Sequence, residues 1–415
     1  MARGWQEPDG PRPLDGLVVL DFTRVLSGPH ATRILADLGA DVVKVEPPSG
    51  DLTRFTAPRV NSTSTYFAQQ NAGKRNVSID VTRPEGADIV RRIALRCDAL
   101  VENFRPGVMD RLGLGWASLS AAHPRLVYAS ITGYGTDGPW TDRRAFAPTV
   151  GAEAGITRSQ GDARGGSYTN DPHSHADVYT GVHAALAVVA ALYQREHTGT
   201  GQHLDVSMAE VMLYDNEHAH DQLWRAPVAP GTIRSFRPGD YPVLTAADGS
   251  RFVVSGHPAE RGTFEMYLAA AGRPDLADDP RFAEPEDRLV HLADLVAVLA
   301  QWADTMPTAA AAEDVLAANG LAAGQLRTAR ELADTEWASS RRATVRIDDR
   351  AGGEIELPNS PWHFSRSDTS LHGPVHWRGE DNREMLRRLA GLRDDEVDAL
   401  ERTGVLSSRP PRAGA

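Results

Sequence analysis

Asp177 stands directly before a long, alanine-rich run, residues 178–196, that reads as a helix. An aspartate at a helix N-cap accepts hydrogen bonds from the free N–H groups of the first turn, and the positive end of the helix dipole favours its ionised form. An ionised, positioned carboxylate can also attack an acyl carbon and carry the acyl group covalently. Capping alone accounts for most aspartates in such places, so position by itself admits catalysis without demanding it. The run ends in Thr198-Gly199-Thr200-Gly201-Gln202, and a strand-like stretch, 203–208, follows. His173, His175 and His183 lie close by in sequence as candidate bases. His173 with His175, and His218 with His220, form pairs, but no third ligand is spaced to complete a metal site, and no metal is expected.

The elements that must position Asp177 begin with alternating strands and helices. Residues 17–22, 41–46, 100–104 and 126–132 read as buried strands. Helices fall between them, at 29–38 and from Pro84 to about 96, where proline suits the first turn. This alternation implies parallel βαβ units in an α/β fold, with ligands bound beyond the carboxyl ends of the strands. The first strand is followed by Thr23-Arg24-Val25-Leu26-Ser27-Gly28-Pro29, which lacks the G-x-G-x-x-G of a dinucleotide site. Near 223 the pattern breaks into a proline-rich crossover. A short strand at 252–255, helices at 261–271 and 285–305, and a helical alanine-rich stretch at 308–334 come next. Strands are expected at 343–357 and helices at 382–406, before a disordered tail. The division expected is 1–225 for a large domain, 226–330 for a smaller α+β domain, and 331–415 for a segment returning to the first.

The chain has 415 residues, 41% hydrophobic and 24% charged, with a net charge of −12. That charge disfavours nucleic acid and anionic membranes, which need basic surface. No apolar run approaches the roughly 20 residues of a membrane span, and the N-terminus has no signal-peptide core. The single cysteine, Cys97, lies on an apolar helical stretch and reads as structural. A cytoplasmic location is the simplest expectation.

The stretch 173–208, with Asp177, Gly181, Arg195-Glu196, Thr198-Gly199 and Gly201-Gln202, resembles the nucleophile segment of the class III CoA-transferases, the CaiB–BaiF family. The likeness extends over nearly the whole chain. It includes Asp21-Phe22-Thr23-Arg24-Val25-Leu26-Ser27-Gly28-Pro29, Gly73-Lys74-Arg75, Val101-Glu102-Asn103-Phe104-Arg105-Pro106-Gly107 and Asp279-Pro280-Arg281-Phe282. The resemblance implies a Rossmann-like large domain, an interlocked homodimer, and no tightly bound cofactor. Coenzyme A would enter as a co-substrate, moving from an acyl-CoA to a small carboxylic acid. Asp177 would be the nucleophile, passing through aspartyl anhydride and aspartyl-CoA thioester intermediates.

By the same resemblance, coenzyme A is contacted by Arg24, Val25, Leu26 and Ser27 after the first strand, and by Asn103, Phe104 and Arg111 after the third. Ile79 belongs to the adenine pocket and Arg144 is the basic partner ahead of the nucleophile. Arg105 joins this set as a phosphate ligand, since a guanidinium fork can donate two bonds to one phosphate. Acceptor contacts are expected from the crossover, where Arg234 and Arg237 lie. Leu26, Pro47, Thr82 and Phe146 depart from the formyl-CoA:oxalate branch and argue against oxalate. The related α-methylacyl-CoA racemase branch needs a histidine ahead of the aspartate, where this chain has Arg144-Ala145-Phe146-Ala147-Pro148. A catalytically silent CoA-binding protein would have no need to keep Asp177.

Overall fold

The computed structural model describes residues 10–223 and 241–408. Two compact units divide the chain: Met1–Trp224 together with Trp337–Ala415, and Arg225–Glu336.

The first unit opens with β1 (Val18–Phe22), α1 (Ser27–Asp37) and β2 (Asp41–Glu46). A two-residue ribbon, β3 (Arg59–Val60) and β4 (Thr63–Ser64), leads into α2 (Thr65–Asn71) and β5 (Arg75–Ser78). Then come α3 (Pro84–Ala94), β6 (Ala99–Glu102), α4 (Val108–Arg111), α5 (Trp116–Ala122) and β7 (Val127–Thr132). The helices α6 (Ala147–Glu153), α7 (Ile156–Ala163) and α8 (His175–Thr198) precede β8 (His203–Ser207), α9 (Met208–Tyr214) and α10 (Ala219–Leu223).

Six of these strands form one parallel sheet in the order β5-β2-β1-β6-β7-β8. Counted along the chain this is 3-2-1-4-5-6, the doubly wound order of dinucleotide-binding folds. Both faces are buried, as a parallel sheet requires. Val19, Val42, Val101 and Ala129 pack on one side beneath α1 and α8. Leu20, Val43, Leu100 and Tyr128 pack on the other, beneath α3, α5 and the C-terminal residues Met385 and Leu389.

β5 was not legible in the sequence, because Arg75-Asn76-Val77-Ser78 holds one apolar residue in four. Its free edge is covered by side chains 300 positions away. The N–H of Asn76 donates to Asp381 Oδ2 (2.7 Å) and that of Ser78 to Asn382 Oδ1 (2.9 Å). An edge strand closed in this way has no exposed ladder to offer another chain.

The second unit is α+β. Its antiparallel sheet β11-β10-β9 joins β9 (Val243–Thr245), β10 (Arg251–Ser255) and β11 (Ala322–Gln325). Around it lie α11 (Thr263–Ala271), α12 (Pro285–Val290), α13 (Leu292–Thr305), α14 (Ala309–Ala318) and α15 (Ala329–Ala333). The alanine-rich stretch therefore corrects the helical expectation for 308–334 at Ala322–Gln325. Pairing with β10 overrides the helix propensity of two alanines there. From α16 (Glu336–Arg341) the chain continues through the hairpin β12 (Thr344–Asp348) and β13 (Glu354–Pro358), then α17 (Asn382–Met385) and α18 (Asp394–Arg402).

α8 corrects another expectation. Its 24 residues make it long and apolar enough to cross a bilayer by length and composition. In this fold its Ala184, Ala185, Val188, Ala191 and Leu192 are buried on the sheet.

A buried ionic cluster lies under the carboxyl end of β1. Lys74 Nζ donates to Asp21 Oδ2 (2.9 Å), Thr32 Oγ1 (2.7 Å), Asn71 Oδ1 (3.0 Å) and the Pro29 carbonyl (2.9 Å). Burial opposes ionisation of Asp21, but Lys44 and Lys74 more than offset it and hold the carboxyl down at about 2. Lys74→Met leaves Asp21 with only part of its compensation, and losing one partner of a buried pair costs about 3–5 kcal/mol. The urea midpoint of unfolding should fall accordingly. A midpoint equal to wild type would show that the cluster does not hold the fold.

Candidate active site

β1 and β6 are neighbours in the sheet, yet their following helices leave on opposite faces, which opens a crevice beyond their carboxyl ends. The two loops that line it are tied by one side chain. The Arg24 N–H donates to Asn103 Oδ1 (2.8 Å), and Asn103 Nδ2 donates to the Arg24 carbonyl (2.8 Å) and to Ser27 Oγ (3.4 Å). Phe104 packs on Phe22 with ring centres 5.3 Å apart, and the Arg24 guanidinium lies 4.9 Å over the Phe104 ring.

Val25 sits between them at φ +67°. A β-branched residue in the left-handed region is a strained conformation, and such strain persists only where the surroundings fix it. Here the Val25 N–H donates to Asp51 Oδ2 (3.2 Å), and Lys44 holds both the Thr23 carbonyl (2.9 Å) and Asp51 (3.6 Å). Leu26 is buried and caps α1; Ser27 is its first helical residue.

Asp177 faces Ser27. The structure corrects the N-cap reading: α8 starts three residues earlier than expected, at His175, with Ser174 at the cap. The helix starts early because Asp171 gathers the preceding turn, accepting from the His173 N–H (2.9 Å) and pairing with His175 Nδ1. Asp177 thus lies in the first turn of α8, with its carboxyl close enough to the Ser27 N–H and hydroxyl for both to favour its ionised form. Burial pushes its pKa up to about 6, with the two Ser27 bonds pulling the other way. The shift has no contribution from a nearby cation.

Glycines explain the approach. A Cβ on Gly181, one turn beyond Asp177, would lie 2.7 Å from the Ser27 carbonyl oxygen and 3.0 Å from His30. A Cβ on Gly28 would lie 2.4 Å from the Thr23 side chain. At the far end of α8, Arg195 is buried and pairs with Asp98 (3.0 Å), while a Cβ on Gly201 would strike the Leu126 carbonyl. The residues that follow Asp177 in the resemblance therefore position α8 rather than touch a ligand.

Of the residues singled out in the sequence, Arg24, Val25, Leu26, Ser27, Asn103 and Phe104 come together at the crevice with Asp177. Arg105 and Arg111 belong to the turn and short helix after Asn103, exposed. Arg144 is exposed on the approach to α6, whose Ala147 and Val150 pack with Ala176 beside the nucleophile candidate. Arg24, Arg105, Arg111 and Arg144 have no carboxylate partner among the described residues. Ile79 does not join them. It is 0% exposed in the core and bridges to Leu406, so its side chain offers no surface to an adenine ring. Arg234 and Arg237 lie outside the described residues.

Two groups escaped the sequence reading. The Tyr66 hydroxyl is raised in pKa by burial and by the charges of Asp177 and Asp51. Glu102, at the end of β6, is pushed up to about 7 by burial and accepts the Phe104 N–H (2.8 Å). A tyrosine on a seven-residue helix carries no spacing signal. Glu102 was read only as part of a strand.

A doubly wound sheet with arginines and a desolvated carboxyl at its switch point defines an α/β enzyme suited to acyl transfer from an anionic carrier. The sequence description of CoA-transferase family III matches residues 14–382, and the chain belongs to that family. The formyl-CoA:oxalate CoA-transferase of Streptomyces avermitilis is 34% identical over 417 residues, covering 95% of this chain and 99% of that protein. The acetyl-CoA:oxalate CoA-transferase of Acetobacter aceti is 36% identical over 386 residues, covering 92% and 96%. A crystal structure of a CAIB/BAIF family protein from Brucella suis superposes with a TM-score of 0.76 at 30% identity, covering 91% of this chain and 100% of that one.

An unconstrained helix glycine changed to alanine gains about 1 kcal/mol from propensity. Gly181→Ala should instead destabilise, by about 1–3 kcal/mol, because the new methyl meets backbone that cannot swing away. Displacing Asp177 by about 1 Å should also cost roughly a hundredfold in rate. A more stable variant with unchanged rate would refute the contact.

Proposed function

We propose that this chain moves coenzyme A from an acyl-CoA thioester to a free carboxylic acid, with Asp177 as the covalent nucleophile. The observation that carries this reading is the Asp177 carboxyl itself. It is partly buried, lies beside Ser27, and has no ion-pair partner among the described residues.

An Asp177 oxygen attacks the thioester carbonyl, the C–S bond breaks, and an aspartyl mixed anhydride forms with release of CoA thiolate. The thiolate attacks the aspartyl carbonyl and expels the donor acid as its carboxylate, leaving an aspartyl-CoA thioester. The acceptor carboxylate then attacks that carbonyl, giving a second anhydride and thiolate. Attack of the thiolate on the acceptor's acyl carbon yields the new acyl-CoA and restores Asp177. No net proton is consumed. Each tetrahedral oxyanion needs a donor, and the hydroxyls of Ser27 and Tyr66 are the candidates. Arg24, Arg105, Arg111 and Arg144 suit the phosphates of coenzyme A, with Val25, Leu26, Ser27, Asn103 and Phe104 forming the floor.

The working form is a homodimer in this reading. α8 turns Tyr179, Val182, Leu186 and Tyr193 outward at helical spacing, with Leu186 63% and Tyr193 70% exposed. A stripe of that size on a core helix suits a second copy of the chain better than water. Leu186→Glu should convert a dimer to a monomer in sedimentation velocity. A wild-type chain that sediments as a monomer at micromolar concentration would end the dimer proposal.

The pH dependence follows from the raised pKa. Only the ionised carboxyl attacks, so kcat/KM for the acyl-CoA should be flat above about pH 6 and fall tenfold per unit below it. Stability runs in the opposite sense. Between 3.8 and about 6 the folded state holds a proton that the unfolded state has released, so ionising Asp177 weakens the fold as pH rises through that window. Asp177→Asn should therefore be more stable than wild type at pH 8 and equal to it below about pH 4. It should bind coenzyme A normally and lose transfer by on the order of a thousandfold or more. Transfer at the wild-type rate in Asp177→Asn would dismiss the nucleophile.

A further inference from the structure

A cavity of about 180 Å³ lies in the first unit on the side of α2 that carries Phe67. Phe55 and Trp377 supply the accessible apolar walls, over the buried Phe67 and Val375, and Arg54, Arg59 and Arg378 supply cations. No carboxylate lines it among the described residues. Arg54 is neutralised by Glu46 (2.6 Å) and stacks 3.9 Å from the centre of the Phe67 ring. Arg378 is held in the wall by donation to Ser407 Oγ (3.2 Å). Arg59 donates to the Ser62 carbonyl (2.9 Å) and has no carboxylate partner among the described residues. In a chain of net charge −12, a half-open hollow edged by guanidinium groups, with no acid among its described lining residues, is set for an anion. Its remaining walls are planar rings and a branched alkyl group, which reward a flat hydrocarbon body. The volume is near that of a cavity that holds one six-membered ring.

We propose that this cavity is a second ligand site, separate from the Asp177 crevice, and that it takes a small aromatic carboxylate. The ring lies between Phe55 and Trp377, and the carboxylate meets Arg59 and Arg378. The site stands whether or not Asp177 is the nucleophile.

Benzoate is the probe, titrated by calorimetry into the full-length protein. Wild type and Asp177→Asn should bind it with the same Kd, and saturating coenzyme A should leave that Kd unchanged. Arg59→Ala, an exposed change that spares the core, should weaken binding about tenfold, as losing a charge-assisted hydrogen bond does. Trp377→Leu should weaken benzoate while leaving inorganic phosphate unaffected. The proposal fails if benzoate does not bind at millimolar concentration, if coenzyme A displaces it, if Arg59→Ala binds it as wild type does, or if inorganic phosphate binds as tightly.

Discussion

The site depends on one close approach: the first turn of α8 laid against the first turn of α1. Ser27 supplies an N–H that no helical carbonyl can satisfy, because the first N–H groups of a helix have no partner within it. The Asp177 carboxyl lies close enough to feel that N–H, which favours its ionised form. The two meet because Gly181, one turn later on the same face of α8, presents no Cβ to the Ser27 carbonyl. The D-x-x-x-G spacing is therefore a packing rule with a chemical result. The glycine sets the distance between two helices, and that distance sets how near the carboxyl comes to Ser27.

Behind this contact sits a layer of buried charge. Asp21, Lys44, Asp51 and Lys74 are all nearly inaccessible, and their bonds end on the backbone of the loop after β1. Such a network is weak evidence for stability, since buried ion pairs replaced by well-packed apolar groups often cost nothing. Its effect here is geometric. Lys44 pins the Thr23 carbonyl, Asp51 takes the Val25 N–H, and Lys74 takes the Pro29 carbonyl. Three fixed points over seven residues allow Val25 to remain at a positive φ that a valine does not choose.

The α/β alternation and four of the six sheet strands could be read from apolar runs, because strands buried on both faces leave continuous hydrophobic stretches, and the half-exposed β8 from its place after α8. β5 could not, since its burial comes from Asp381 and Asn382 at the other end of the chain. Asp177 stood out in the sequence by its residue type and surroundings, but its place in the helix did not. That depended on Asp171 drawing the turn back by hydrogen bonds that spacing does not encode. Arg24, Ser27 and Asn103 were legible as a set only through resemblance. Their union is a bond between loops 79 residues apart. Ile79 shows the limit of such transfer. The family position is kept, but in this chain the C-terminal segment seals it into the core. Tyr66 was illegible for a simpler reason: which of two adjacent aromatics faces the site depends on how a short helix is rotated.

The separation of charge at the crevice answers a conflict built into acyl transfer from an anionic carrier. A carboxylate paired with arginine has a low pKa and a well-satisfied electron pair, and is a poor nucleophile for that reason. A carboxylate without any cation repels phosphate and carboxylate ligands alike. The fold resolves this by distance along its topology. The exposed arginines follow the crevice loops and the approach to α6, while Asp177 is held by the neutral donors of Ser27. Desolvation raises the energy of the ionised Asp177, and the hydrogen bonds restrict its orientation without quenching it. That energy is drawn from the stability of the fold, and the rigid packing of α1 on α8 is what allows it to be held there.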